Sequence, residues 1–442
     1  MNILIRIASG FILSKKARKK FRKKYLKKES LETIQQEKNT TSDELRDVVT
    51  KDELNEHMIR LTDYLYLAYK QQCRTNNEDL AFDVAELFTK RVVTPFIHDV
   101  ALTYLWQETD MVKLYDADAL LSSPQCVLYK DVELGQKIDF RQKHLDALAY
   151  ALKKNIPFIM TEDGFLRSAD TWCNYSVHPM YRSSVCHTFT TDVHYFDATR
   201  PSTMEKLLND EELIITDEQR VRARKCINRI VSTHLTKYNH QPIYTPEIGR
   251  KGVCKVLVVD QSYGDNSISQ GLANDETFAR MLNDAIAENP GADIIIKKHP
   301  DSMAAKTVRK MSYYSDIVAH DNIYTFTTPI NPISLIKYVD KVYVCTTQLG
   351  FEALMCGKEV HTYGMPYYAG WGITHDAIQC SRRTNKRSLE EIFYIAYIIY
   401  SHYVNPEKKC RCEIEEAMDF LLKLRVEYFN KFGIRNDLSF NQ

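Results

Sequence analysis

The sequence predicts an α/β protein in which two sheet-bearing domains turn ligand-binding edges toward a central cleft, behind an N-terminal helical region. Three observations predict it. Short apolar, β-branched runs recur between residues 156 and 363. Stretches with one apolar face at helical spacing separate several of them, and run after run stops at polar or glycine residues. Strands joined through a helix are parallel, and their right-handed crossovers deliver those stops to one carboxyl edge, where open α/β sheets bind ligands.

The 442-residue chain has room for two or three domains with full cores, and its composition is that of a soluble globular protein. Its net charge of +1 conceals an asymmetry: residues 1–28 hold 11 Lys and Arg and no acid, leaving 48 basic against 58 acidic residues in the remainder. In that segment Ile3, Ile7 and Phe11, then Ala17, Phe21 and Tyr25, recur at four-residue spacing, as in an interfacial helix. Each cation near an anionic leaflet contributes ~1 kcal/mol. We therefore expect residues 1–28 to hold a cytoplasmic protein on the inner face of a membrane, a merely solvated tail being the other reading of the same residues. Nucleic acid, the competing partner for a basic run, is not expected. Arg6 interrupts the only candidate signal core, and no apolar stretch approaches the ~20 residues that cross a bilayer. Eleven cysteines with no C-x-x-C pair suit reduced thiols, and the close pair Cys410 and Cys412 lacks further zinc ligands at finger spacing.

Residues 29 to about 60 are charged and read as a linker or exposed helix, and periodicity predicts a mainly helical region to about Leu105. Asp116 and Asp118 have the D-x-D spacing of some metal-binding glycosyltransferases, a triplet that also occurs in ordinary loops. Phe140–Lys154 reads as an amphipathic helix and Ile156–Thr161 as a buried strand ending at Glu162, Asp163 and Gly164. A carboxylate pair at a strand end suits acid/base work or an acceptor hydroxyl, or a helix cap and turn. Helices over Pro201–Asn209 and Asp217–Leu235 precede a segment with Pro242, Pro246 and Gly249, a natural linker. The domains expected are thus 1–28, 29–248 and 249–442.

The second domain opens on a βαβ unit. Lys255–Asp260 is a strand followed by the loop QSYGDNSISQG. Asn274 then caps a helix whose apolar face is Phe278, Met281, Leu282, Ala285 and Ile286, and Asp293–Lys297 is the next strand, ending at Lys298, His299 and Pro300. Further on, Ile333–Tyr338 reads as a helix, and Lys341–Cys345 as a strand ending at Thr346, Thr347 and Gly350. Phe351–Cys356 reads as a helix start, and Glu359–Tyr363 as a strand ending at Gly364. Hydroxyls before a helix start can join free backbone N–H groups on a phosphate, or simply cap the helix. Four strand ends meeting along one edge imply a nucleotide-sized site that faces Glu162. Two sheets with facing edges describe the GT-B glycosyltransferase architecture. The lack of a G-x-G-x-x-G or Walker loop argues against a dinucleotide dehydrogenase or a P-loop nucleotidase.

Several segments, in order, resemble the KpsC-type capsular polysaccharide synthesis proteins, which are bacterial β-Kdo transferases using CMP-Kdo (Kdo is 3-deoxy-manno-octulosonic acid). They are EDGFLRS (162–168), YFDATRPS (195–202), VLVVDQSYGDNSI (256–268), KHP (298–300), TQLGFEAL (347–354), YGMPYYAGWG (363–372), RSLEE (387–391) and YVNP (403–406). The resemblance spans about 150–412. It implies a GT-B-like fold of two Rossmann-like domains and metal-independent transfer of Kdo, with retained β configuration, to a lipid-linked or other glycan acceptor in capsule synthesis. Other capsule-assembly proteins are possible partners. Retention implies double displacement through a carboxylate.

The acid that the resemblance points to is Asp265, with Asp260 as the alternative, which more naturally caps its loop. His299 would serve the departing phosphate, and Glu162 and Asp163 the acceptor. Gln261, Ser267, Lys298, Thr346, Thr347, Gly350, Glu352, Tyr363, Gly364 and Arg387 are the donor contacts implied: Glu352 at the ribose or cytosine, or else a solvated surface acid; Tyr363 and Gly364 with Trp371 shaping the cytidine site, or else an aromatic core; and Arg387 with Arg382 and Arg383 for the Kdo carboxylate, or else a solvated cationic patch. The chain departs from the family in carrying one module where tandem pairs are common, and in Ala169–Tyr175 (ADTWCNY) where glycines are expected. A different CMP-linked ulosonate, a sugar-nucleotide epimerase of two Rossmann-like domains, or a non-catalytic capsule-assembly scaffold are the alternatives to be distinguished.

Overall fold

The computed structural model describes residues 92–93, 119–122, 158–172, 174, 176–298 and 312–437. The basic segment 1–28, the D-x-D pair, the helix expected over 140–154, and His299 with Pro300 lie outside the described residues.

The first sheet begins with β1 (Val92–Val93), β2 (Ala119–Ser122) and β3 (Phe158–Asp163), which run parallel, so a strand lies inside the stretch expected to be mainly helical. It does not continue as a parallel sheet. After the short helix α1 (Pro179–Arg182), β4 (Cys186–Thr190) pairs antiparallel with β3, Glu162 standing opposite Thr188. The return between β3 and β4 carries, among its described residues, only the four-residue helix α1, short of the crossover that delivers a parallel neighbour. Two helices follow. α2 (Thr203–Asn209) is capped by Ser202, and α3 (Asp217–Thr233) by a reciprocal box of Thr216 and Gln219.

The second sheet is wholly parallel, as its apolar runs predict. β5 (Lys255–Val259) leads through α4 (Asn266–Gln270) and α5 (Asp275–Glu288) to β6 (Asp293–Lys297) and β7 (Ile323–Phe326). α6 (Pro332–Tyr338), β8 (Lys341–Val344), α7 (Leu349–Met355), β9 (Glu359–Thr362) and the edge strand β10 (His375–Asp376) complete it, in the order β10-β9-β8-β5-β6-β7. α5 begins at the expected cap, Asn274, and buries Phe278, Met281, Leu282 and Ala285. α4 breaks what reads in the sequence as a plain polar loop; its side chains alternate with no apolar stripe, and its cap, Asp265, sets it.

The chain then crosses back. α8 (Leu389–Phe393) runs into a π-helical turn, Tyr394–Ile399, and β11 (Ser401–Asn405) and β12 (Cys410–Cys412) extend the first sheet beyond β4 as an antiparallel hairpin. α9 (Ile414–Phe432) packs on α3, held there by Arg222 on Glu413 and Glu415. Residues 249–442 therefore do not all belong with the second sheet: β11 and β12 are part of the first. One apolar core joins Phe165 and Phe189 of the first sheet's side to Val344 and Phe351 of the second and to Tyr397 of the π-turn. Phe165 and Tyr397 stack with ring centroids 4.7 Å apart.

Candidate active site

At the carboxyl end of β3, Glu162 and Asp163 are both half-buried. Asp163 accepts from Arg167 Nε at 2.6 Å, and Arg167 in turn donates to the Arg182 carbonyl and the Ser168 hydroxyl, so this carboxylate is fixed by its own motif. Glu162 is shaped by charge. Burial pushes its carboxyl up to about 7 against the pull of Lys237, and the neighbouring anions Asp163 and Asp265 push in the same direction. Lys237 is disfavoured as a cation by burial, yet Tyr195, Tyr238, Asp163 and Glu162 together hold its pKa above the ordinary lysine range. A carboxyl of the first sheet, a cation from the inter-sheet linker and a carboxylate of the second sheet thus lie within electrostatic reach of one another.

Asp265 reaches this group from the exposed loop after β5. Its Oδ1 accepts from the backbone N–H of Ser267 at 2.9 Å and from the Ser267 hydroxyl at 2.7 Å, capping α4. Ser267 is thus engaged with Asp265. Asp260, buried at the end of β5, accepts through Oδ1 from the N–H groups of Gln261, Tyr313 and Tyr314. That is the loop-capping part that its strand-end position suggests.

The other strand-end residues divide between lining and bracing. Gln261 and Thr346 are bonded to each other, Gln261 Oε1 accepting from the Thr346 N–H at 2.9 Å and Nε2 donating to its hydroxyl at 3.0 Å, so the ends of β5 and β8 are tied side by side. Thr347 Oγ1 accepts from the Leu349 N–H, and its carbonyl takes the Tyr368 hydroxyl at 2.6 Å. Gly350 and Gly364 permit close approach. A Cβ on Gly350 would stand 2.1 Å from Tyr368 Oη, and one on Gly364 would stand 2.6 Å from Thr346 Cγ2 and 2.9 Å from the Gly271 carbonyl. Tyr363 is buried and donates to Asp284 Oδ2 on α5. Trp371 is buried too, its indole N–H on the Tyr367 carbonyl and Arg383 over its ring.

Four expectations change. Lys298 Nζ donates to the carbonyls of Ser315 and Ile317, both at 3.0 Å, so its ammonium braces the 315–317 segment. Arg387 is buried and donates to the carbonyls of Leu208, Leu213 and Asp210, closing the end of α2. Arg382 and Arg383 are committed to the buried carboxylate of Glu205 on α2. Spacing shows three arginines together but not which carbonyl groups the fold leaves needing donors. Glu352, read as a ribose or cytosine contact or a solvated acid, is 4% exposed. Burial pushes its carboxyl up to about 7, opposed by the Lys237 backbone N–H, the Thr236 hydroxyl and the charge of Lys237. It therefore underlies Lys237.

Lys237 carries no periodic or motif signal and escapes a sequence reading. Tyr195 and Gln348 lie inside the YFDATRPS and TQLGFEAL segments, whose residue pattern does not say what either side chain does. Tyr195 packs on Phe165 with centroids 4.9 Å apart, and Ala198 N–H donates to the Gln270 carbonyl at 2.9 Å, which brings the YFDATRPS segment against the end of α4.

The fold is of the α/β class, with one parallel six-stranded sheet, one mixed sheet and ionisable groups converging between them. The family model described as capsule polysaccharide biosynthesis protein matches residues 132–406, and the chain belongs to that family. It is 37% identical over 316 residues to the capsule polysaccharide modification protein LipA of Neisseria meningitidis serogroup A, covering 68% of this chain and 43% of that one. It is also 37% identical over 294 residues to the lipopolysaccharide-processing protein LpsZ of Rhizobium meliloti, covering 66% of this chain and 63% of the relative. The chain thus spans less than two thirds of either relative. Among solved structures it resembles the β-Kdo 2,4 transferase of Thermosulfurimonas dismutans KpsC, with TM-score 0.59 and 32% identity, covering 70% of this chain and 88% of that one. No helix among the described residues is long and apolar enough to cross a membrane.

Proposed function

We propose that the protein is a retaining β-Kdo transferase that moves Kdo from CMP-Kdo to a lipid-linked or glycan acceptor in capsule or surface polysaccharide synthesis, in a GT-B-like arrangement and without a catalytic metal. Family membership and the likeness to a β-Kdo 2,4 transferase support the substrate class. The observation that carries the chemistry is Glu162, half-buried at the end of β3, whose carboxyl is pushed up to about 7 by burial against the pull of Lys237, with Asp265 of the other sheet among the anions that act on it.

In the proposed reaction the Asp265 carboxylate attacks the anomeric carbon of Kdo. The bond from that carbon to the CMP phosphate oxygen breaks, its electron pair leaving on the phosphate, and a glycosyl ester forms. The acceptor hydroxyl then attacks the same carbon from the opposite side, Glu162 takes its proton, and the ester bond breaks to restore Asp265. Two inversions give retention. Lys237 offsets negative charge at the site, and His299 would serve the departing phosphate. Asp163 is the second reading for the nucleophile, because its ion pair with Arg167 fixes another carboxylate at the same strand end.

Incubation with CMP-Kdo, with and without Kdo-terminated acceptors, followed by CMP release and intact-mass and peptide mapping, tests the reading. One Kdo on Asp265 is expected, and it disappears in Asp265→Ala. Because Asp265 also caps α4, loss of activity alone does not assign it; an adduct on Asp163 transfers the nucleophile's part. No CMP release with any acceptor defeats the transferase, leaving an epimerase, shown by turnover of a UDP-sugar, or a scaffold. The membrane part of the reading is separate: removing residues 1–28 moves the protein from the membrane pellet to the supernatant, and unchanged sedimentation counts against it.

A further inference from the structure

On the outer edge of the second sheet, Glu359, His361 and His375 each bring one potential ligand atom within 4.8 Å of the others. The sheet makes this juxtaposition. Glu359 and His361 are two residues apart on β9 and so project from the same face. His361 stands in register with His375 on the edge strand β10, which turns the second imidazole to that face as well. The two rings stack with centroids 4.8 Å apart, and His361 lies over Tyr343 of β8 at 4.3 Å and within 7° of parallel. Glu359 Oε1 is 2.8 Å from His361 Nε2, and Glu288 Oε2, at the end of α5, is 3.9 Å from His361 Nδ1 while accepting the Tyr343 hydroxyl at 2.7 Å.

The geometry points to a binding site for a divalent transition ion of the zinc type, with two imidazoles and one carboxylate as protein ligands and water completing the coordination. Zinc takes nitrogen and oxygen donors at ~2.0–2.2 Å in four-coordinate sites, so the ligand atoms need to close in by small side-chain rotations. Glu288 is placed to hold the second ring nitrogen of His361, the outer-shell carboxylate that fixes a ligating imidazole. One group opposes it: Lys341 Nζ is 3.1 Å from Glu359 Oε1, and this half-exposed side chain has to swing away when the ion binds. A site of this kind would act as a clip. β10 has two residues and, among the described residues, pairs only with β9, and His361 and His375 stand at either end of residues 363–374, the loop that holds Tyr363, Gly364 and Trp371. An ion joining them closes that loop independently of the proposed transfer reaction, which uses no metal.

The test is titration of the full chain, freed of metal, with Co2+ and with Zn2+. Expected is one equivalent bound with a Co2+ spectrum of nitrogen and oxygen ligation, and a thermal midpoint raised by Zn2+. His375→Ala, at an exposed position that leaves the core untouched, should weaken binding at least about tenfold and abolish the midpoint shift, and Glu359→Gln should do the same more mildly. Undiminished binding in both variants, or a thiolate charge-transfer band showing that cysteines hold the ion, overturns the assignment. So does failure of the wild-type chain to bind.

Discussion

Gln348 Nε2 donates to the Phe165 carbonyl at 2.8 Å and faces Glu352 Oε1 at 3.5 Å, so the residue that precedes α7 of the second sheet is bonded to the segment leaving β3 of the first. This amide is one of the ties between the Glu162 end and the Thr346 end. Gln348→Ala should lower stability by about 1 kcal/mol, the net worth of a part-buried hydrogen bond. Transfer should fall further than stability does, because the two sides lose their mutual register. Denaturant midpoints measured beside initial rates distinguish the two effects.

Glu162 titrates near neutrality through burial, then through the anions around it. If it takes the acceptor's proton, it must be ionised, so the rate should rise with pH through about 7. Glu162→Gln should flatten that limb and slow transfer by about 10²–10⁴-fold, while formation of the Kdo adduct survives. A pH–rate profile with an adduct assay checks both halves.

Glu352 gives a prediction about stability. Its folded pKa lies above the 4.5 of an ordinary glutamate, so the fold favours the protonated form. That contribution is complete below pH 4.5 and is lost as pH rises through about 7. Wild type should therefore lose stability relative to Glu352→Gln across this window, on the order of 1–3 kcal/mol. Urea melts of both proteins at pH 4.5 and pH 8 measure the difference.

Arg387 is committed to three carbonyls at the end of α2, and Arg383, with Arg382, to Glu205. Arg387→Ala should cost about 2–4 kcal/mol by stranding buried acceptors. Glu205→Ala should cost about 3–5 kcal/mol by leaving the Arg383 guanidinium unpaired. Both should act on thermal midpoints and leave the donor KM of the surviving folded fraction unchanged. A large rise in KM would return the arginines to the sugar.

Gly364→Ala should be worse than its one methyl suggests. The new Cβ meets Thr346 and the Gly271 carbonyl at once, and the backbone oxygen cannot turn away. An overpacking cost of about 1–3 kcal/mol is expected, with the Thr346 end of β8 displaced. Reduced activity that a Gly364→Ser variant shares, together with a lowered midpoint, is the expected result.

Local physics made much of this molecule legible in its sequence. The parallel sheet follows from KVLVV, DIIIK and KVYV, buried runs too short and too branched for helices, and α5 follows from Asn274 and four apolar residues at helical spacing. The strand ends that carry Glu162, Gln261 and Thr346 follow from the same punctuation. Other features depend on partners distant in sequence. That β11 and β12 complete the first sheet, that Arg387 closes α2, and that Glu352 lies buried beneath Lys237 are set by pairings across more than a hundred residues, and no window of sequence holds both members. The sequence by itself determined which residues stand at strand ends and what chemistry they carry. Only the tertiary structure decided which of them converge between the two sheets and which brace the fold, because a charged group's part depends on the charges and buried carbonyls that folding places beside it.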